Sequence, residues 1–458
     1  MNAILLAILA YVLVQFCIGV WLSRDLRNDT DYIVAGRTLP LPLVMFPVFA
    51  TFFGSEALTA TSAAVYEKGL AGAFVDPFCY GAAIIIVGLF LAARLRAKQL
   101  VTFADLFRNR FSPSVERLVV LVLLPGSLFW AAAQIRVFGV MLNSTTGMGL
   151  AQGLLIAAIA VGVYSVVGGL LADAVTDMVQ GLVVMLGLLL MAYAVSGALG
   201  DKGLTLDAIP AERWMWLGDD VTVLALLEKI TVPVCGTIVA VELISRFLGA
   251  KTSAIAAWGT VLGGVLYIAF GLLPIYLGFA GTLLMPGIKE TEEIVPKLAE
   301  TYLHGALYVL FVGAIVSAVL STVHSTLHAP ASQVSHNIIA RAWPNLGERE
   351  SLFAVRAAVA GLTVVAYVLA GSSETIKDLV ETASASGSAG VFVALMFGIF
   401  TRYGGAPSAF AAILMGIVVW AWSKYVWSLP TPYLLALVAA LIGYVVAAQV
   451  EGRTVKAP

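Results

Sequence analysis

The sequence predicts an all-α polytopic membrane protein of about thirteen transmembrane helices. Its core is two inverted repeats of about five helices, each headed by an interrupted helix. Three observations carry this. Apolar runs of about 18 to 25 residues recur from end to end. Of the 458 residues, 60% are hydrophobic and 12% charged, about half the charged share of a soluble domain. Finally, the stretch from Phe46 to Gly69, FPVFATFFGSEALTATSAAVYEKG, is long enough to cross a bilayer yet carries Gly54, Ser55 and Glu56 at its middle. Such residues are tolerated at mid-depth only where backbone is buried in protein or lines a wet cavity. A helix broken there frees carbonyl oxygens, and freed carbonyls bind small cations.

Composition excludes several classes. The net charge is −1, so no basic surface points to nucleic acid. Cys17, Cys79 and Cys235 all lie in apolar segments without metal-ligand spacing, which argues against disulfides and zinc. No glycine loop of the GxxxxGKS kind is present to cradle a nucleotide. No cofactor is expected beyond a coupling ion.

Taken in order, residues 3–22 form the first apolar span. It lacks a basic start and a small-residue cleavage site, so it reads as an anchor and not a signal peptide. The broken span 40–65 follows, then 71–95, 118–142, 150–169, 174–199, 223–248, 254–282, 305–328, 350–371, 379–401, 406–425 and 433–450. The richest basic loop is 94–117, with Arg94, Arg96, Lys98, Arg108, Arg110 and Arg117. The positive-inside rule then puts the N-terminus outside and the C-terminus inside, in a cell inner (plasma) membrane. Residues 200–222 form an outside loop with Trp214 and Trp216 as interfacial anchors, and 283–304 reads as a short amphipathic surface helix.

An odd number of spans per unit makes the second unit enter from the opposite side. The expected division is 1–39 as first helix and inside linker, 40–199 as first repeat and 200–222 as outside loop. Residues 223–401 form the second repeat, and 402–458 two last helices and a short inside tail. The first span of the second unit should also be interrupted, and 223–248 carries Pro233, Gly236 and then Glu242 in an apolar context. Arg246 and Lys251, just beyond, read as anchors facing the inside.

Five stretches in order carry a family resemblance: DYIVAGR (31–37), the broken helix, VTFADLFRNRF (101–111), GGLLADAVTDMVQ (168–180) and AVLST (318–322). Together they resemble the sodium:solute symporter family, the group with sodium/glucose, sodium/proline and sodium/choline transporters. The resemblance implies a sodium site between the first and eighth core helices. Carried over by position, the backbone oxygens of Ala50 and Phe53 meet the carbonyl of Ala318 and the hydroxyls of Ser321 and Thr322. The chemistry agrees: sodium is a hard ion that wants oxygen, and neutral oxygens suffice where several converge. Small residues at these positions also suit close helix packing. Some members carry a second sodium. Here Asp177, Ser321 and Ser325 match its ligand positions, but His324 stands where a hydroxyl or acid is expected. A proton near His324 and Asp177 is the alternative, since histidine titrates in the physiological range. Hydrogen bonding of His324 to a neighbour is the plainer reading, while for Asp177 a cap or pair at a helix start stands equally beside an ion-pathway role.

On the solute side, intramembrane polar groups are functional hypotheses by default. They are Glu56, Asp76, Gln134, Arg136 and Glu242. Asp76 falls where sugar-transporting relatives place a substrate carboxylate, while Ala57 replaces an amide of theirs. In one reading Asp76, Glu56 or both hold an ammonium and Arg136 holds a carboxylate, which gives an amine or zwitterionic solute. In the other, Arg136 pairs with Glu242 or Glu56 as structure. The small-residue run 383–389 reads as tight packing, with gating flexibility or polar substrate contacts as the alternative. The expectation is a secondary transporter that moves a small organic solute with sodium by alternating access. A proton-coupled carrier of the same fold, using His324 and Asp177, is the rival. A membrane enzyme or solute sensor is a poorer one, because no paired catalytic motif appears and little chain follows the last span. The expected partners are the solute, sodium and the bilayer. Neither the solute's identity nor the oligomeric state is legible.

Overall fold

The helices begin and end where sequence chemistry dictates. In the computed structural model, residues 3–25, 28–217, 221–372, 376–385 and 387–454 are described. The first apolar span is α1 (Ala3–Leu22). After it, α2 (Asp29–Val34) is capped by Asn28, whose side chain accepts the Asp31 N–H at 2.8 Å. The first broken helix is α3 (Pro42–Phe52) followed by α4 (Ser55–Lys68). A π-type turn at Phe74–Cys79 contains Asp76 and the cis Asp76–Pro77 bond. It leads into α5 (Tyr80–Val87) and, through a second such turn, α6 (Ala93–Ala97).

The basic loop contains α7 (Ala104–Arg110). Next, α8 (Pro113–Thr146) starts on Ser112, whose hydroxyl accepts the Val115 N–H, with Pro113 in the first turn where a missing N–H costs nothing. Then come α9 (Leu150–Val167) and α10 (Leu170–Asp201), separated at Gly168–Gly169. The second broken helix is α11 (Val223–Ile238) and α12 (Val241–Leu248). The remainder is α13 (Ser253–Leu284), capped by Thr252, the surface helix α14 (Ile294–Tyr302) and α15 (Ala306–Gln333). The short α16 (Ala340–Ala342) and α17 (Glu348–Ser372) are followed by α18 (Ile376–Ala385), α19 (Ser388–Phe400), α20 (Ala406–Tyr425) and α21 (Pro432–Thr454).

Every expected span is helical, and no strand occurs among the described residues. Ten helical stretches among them are long and apolar enough to cross a membrane, and Ala10–Leu22, Pro42–Phe52 and Ser388–Phe400 are shorter apolar helices. Large side chains such as Leu13, Leu89, Ile159, Leu189 and Val446 are exposed on the helix sides, as a lipid solvent requires.

Both interruptions are present. Pro47 and Pro233 sit inside helices, while the chain breaks at Phe53–Gly54 and Val239–Ala240. A single proline removes one ladder bond, and the packed neighbours hold the helix through it. The two broken helices are tied at one end by an isolated bridge, in which Leu39 N–H donates to Gly249 O at 3.1 Å and Lys251 N–H to Leu39 O at 2.9 Å. α3 packs against α10, α13 and α15, and α12 against α3, α13 and α15, so the breaks face the same centre.

Close approach fixes the second break. A Cβ on Gly236 would lie 2.6 Å from the Ser384 carbonyl, so α11 and α18 meet backbone to backbone there. Gly236→Val is expected to cost about 1–3 kcal/mol by overpacking, read as a lower melting temperature of the purified protein in detergent. An unchanged melting temperature would show the contact to be slack.

At the basic end, polar residues lock α7, α8 and the π-type turn Val334–Ile339 that follows α15 together. Asn337 donates to Asp105 at 2.9 Å and to Glu116 at 2.8 Å, and Glu116 pairs with Arg108 at 2.9 Å. Burial pushes the Asp105 carboxyl up, but His336 and the N–H groups of Thr102 and Val101 outweigh it and hold the carboxyl below its usual range.

Candidate functional site

The first break places bare backbone beside two hydroxyls. Phe53, at φ −85° and ψ 61°, leaves the helix, and Gly54 is extended. The last-turn carbonyls of α3 therefore lose their i+4 partners, apart from Phe49 O, which accepts the Phe53 N–H at 2.8 Å. Thr322 donates its hydroxyl to Ala50 O at 3.4 Å, and Ser321 donates to Asp177 at 2.6 Å. Thr51 and Ser325 share a hydrogen bond at 3.0 Å. Ala318 lies one turn before Ser321 on the same buried helix, and Phe53 is buried as well. The cluster is a set of neutral oxygens of the kind sodium takes.

The most consequential correction concerns Arg246. It is not an inside-facing anchor: it is 1% exposed and stands at the centre of the bundle. Its guanidinium is bonded to the Asp173 carboxylate and to the Ser325 hydroxyl, lies 3.0 Å from Asp177, and donates through Nε to Thr51 at 3.1 Å. The guanidinium thus takes up Asp177 and Ser325, which were expected to hold a second cation or proton with His324. A buried arginine finds four oxygen partners here, which sequence position alone could not reveal. His324 is fully buried with Nε2 3.5 Å from Asp173, its ring edge-on to Tyr164 and stacked on His328. Its acidic neighbour is therefore Asp173, a residue the sequence left without a role.

Beside the cation cluster lies a cavity of about 100 Å³, room for several waters or a small solute where one water needs about 10–15 Å³. Glu56, Asp76 and Glu242 line it, together with the aromatic side chains of Phe52, Tyr80, Trp130 and Tyr267. Among the described residues, no Lys, Arg or His lines it. Each acid is held by a donor. Trp130 Nε1 and Gln134 Nε2 donate to Glu56 at 2.8 and 2.5 Å, Tyr267 donates to Asp76 at 2.7 Å, and the Ser127 hydroxyl donates to Glu242. Ser127, Trp130 and Gln134 recur at i, i+3 and i+7, so one face of α8 serves both broken helices. Glu56 and Glu242 occupy matching places in the first turns of α4 and α12, where the helix dipole favours an anion.

Arg136 is not brought into this group. Its guanidinium donates to the Ala370 carbonyl at 2.9 Å, toward the end of α17, and pairs with neither Glu56 nor Glu242. Arg136 lies two residues after Gln134, about 200° further round α8, so Gln134 reaches Glu56 while Arg136 projects from the opposite face.

The sequence matches the sodium:solute symporter family over residues 32–416. The chain belongs to that family. This family member is 26% identical to the human high affinity choline transporter 1 over 400 residues, which is 82% of this chain and 69% of that one. It is also 26% identical to the high-affinity proline transporter PutP of Bacillus subtilis (strain 168) over 433 residues, covering 88% and 89% of the two. Its fold is similar to that of a Na+-coupled sialic acid symporter solved in a substrate-bound outward-open state, with a TM-score of 0.82, 16% identity and 98% of each chain covered. The family explains the multi-pass helical architecture and makes transport the activity class.

In this symporter-family chain, sequence reasoning missed Tyr80, Ser127 and Tyr267 as cavity residues, while Ser384 and Ser388 come from the small-residue run that had polar substrate contacts as its second reading. Lone tyrosines in a bundle give no signal. The run 383–389 did carry one, since three serines close together on a membrane segment exceed what packing needs.

Proposed function

We propose that the protein is a sodium-coupled symporter of a small organic cation, an amine, carried into the cell by alternating access. The observation that supports this reading is a cavity walled by three carboxylates and four aromatic rings, with the nearest sequence candidate for an anion partner, Arg136, bonded elsewhere. Ammonium groups are attracted both by carboxylates and by aromatic faces, so the lining favours an amine over a zwitterion or a sugar. In this reading Glu56, Asp76 and Glu242 supply the charge and Trp130 and Tyr267 the walls. Ala50, Phe53, Ala318, Ser321 and Thr322 hold sodium one layer away. The two sites share the break at Phe53–Gly54, so sodium that orders this backbone also orders Glu56, which couples the ligands.

The repeats 40–199 and 223–401 rock against each other around the two breaks, with the N-terminus outside and the basic loop inside, in a plasma membrane. Sodium entry supplies about 2.3 kcal/mol per charge per 100 mV, and a cationic solute moving with it adds a similar amount. Coupling requires that sodium bind the solute-competent state more tightly.

The test is a thermal-shift screen of the purified protein against quaternary and primary amines, zwitterionic amino acids, carboxylates and sugars, with sodium or with choline-free potassium buffer. Amines should stabilise most, and only in sodium. A larger shift from a carboxylate or a sugar would overturn the solute assignment. Amine uptake in sodium-free vesicles driven by a pH gradient would replace sodium coupling with proton coupling at His324 and its acidic neighbours.

A further inference from the structure

We propose that Arg246 is a built-in cation that permanently fills a second ion position, so that the carrier binds one sodium at a time. The inference rests on the sodium reading above and adds the stoichiometry to it. The oxygen set around the guanidinium is itself of cation-binding type: carboxylates of Asp173 and Asp177 from α10, hydroxyls of Ser325 from α15 and Thr51 from α3. All five side chains are at most 1% exposed, and three separate helices converge on the group. A guanidinium spreads one positive charge over several donors, so it occupies the room and the ligands that a bare ion would need.

Charge sets the count. With both histidines of α15 neutral, two buried carboxylates face one guanidinium, which leaves one negative charge in a water-poor centre. An unpaired buried charge is costly, and a single monovalent ion next to it removes that cost. The Ser321–Thr322 turn lies at that place, because Ser321 donates to Asp177 itself while Thr322 reaches Ala50 O. One sodium brings the centre to neutrality, whereas a second would leave an excess positive charge with no free carboxylate to meet it. Glu242 does not alter the count. It lies one turn before Arg246 on α12, but its carboxylate accepts from Ser127 and faces the solute cavity.

Removal of the guanidinium reverses the arithmetic. Two carboxylates, Ser325 and Thr51 then surround a space of alkali-ion chemistry, and neutrality needs two sodium ions. Arg246 is accordingly a residue that sets ion stoichiometry without touching the solute.

The experiment is equilibrium binding of radioactive sodium to the purified full-length protein without solute. The wild type should bind one sodium per chain. Thr322→Ala should bring specific binding to about a fifth of the wild-type level or less at concentrations that half-fill the wild type, because no other site remains. Arg246→Gln should bind two. Two ions on the wild type, sodium retained at full level by Thr322→Ala, or a folded Arg246→Gln that still binds one would each overturn the proposal. If Arg246→Gln does not fold, the first two measurements still decide it. No sodium on the wild type at all would remove the sodium reading itself, a different failure from a count of two.

Discussion

Thr322→Ala raises the sodium concentration for half-maximal uptake by about 10- to 100-fold, the largest effect expected of any single substitution here. A hydrogen bond or ligand contact to a charged partner contributes about 1.5–3 kcal/mol, and each 1.4 kcal/mol is tenfold in affinity. Thr322 is fully buried and its hydroxyl already points at the Ala50 carbonyl, so its loss cannot be made good by solvent. Ser321→Ala should act in the same direction and additionally strip Asp177 of its 2.6 Å donor. The measurement is initial uptake rate against sodium at saturating solute. Sodium dependence unchanged in both variants would remove the cation from the Phe53–Gly54 break. Thr322→Ser retains the hydroxyl and should recover most of the affinity, which separates ligand loss from misfolding.

Glu56→Gln is expected to weaken solute binding by about 10-fold or more in the presence of sodium, while sodium binding alone stays within about threefold. The substitution keeps the shape of the side chain and removes its charge. It also exchanges an acceptor for a donor facing Trp130 Nε1 and Gln134 Nε2, both of which now donate to the carboxylate. The loss is therefore electrostatic and local to the cavity. The readout is the midpoint of solute-induced stabilisation for the amine that shifts melting most. Equal affinity for that amine would take Glu56 out of the solute site and leave Asp76 and Glu242 to carry it. Arg136→Gln provides the contrast: a cationic solute should keep its affinity within about twofold, whereas a zwitterion held by that guanidinium would lose about tenfold or more.

What could be read in advance followed from local rules. Span length, the charge deficit and the placing of Gly54 beside Glu56 are all consequences of what a hydrocarbon solvent tolerates, and each acts within about 25 residues of chain. The break at Phe53–Gly54, beside the Gly54 and Glu56 that marked it, and its counterpart at Val239–Ala240, between Gly236 and Glu242, belong to this class. The polar residues of the breaks and of AVLST were likewise legible, because intramembrane oxygens and carboxylates are expensive to keep without a use.

The pairing of charges was not legible. Arg246, four residues beyond Glu242 and close to a membrane boundary by hydropathy, looked like an anchor; Arg136, deep in an apolar span, looked like a ligand. The fold gave each different partners. α12 turns Arg246 inward onto Asp173 and Asp177, which are more than 60 residues away in the chain, while α8 turns Arg136 outward to Ala370. By itself, the sequence determined that this chain spans a membrane many times and comes undone twice along the way, since those outcomes depend on each segment's own transfer energy. Only the tertiary structure decided which charge meets which, because helix rotation and long-range packing choose partners, and no spacing rule within one helix reaches across the bundle.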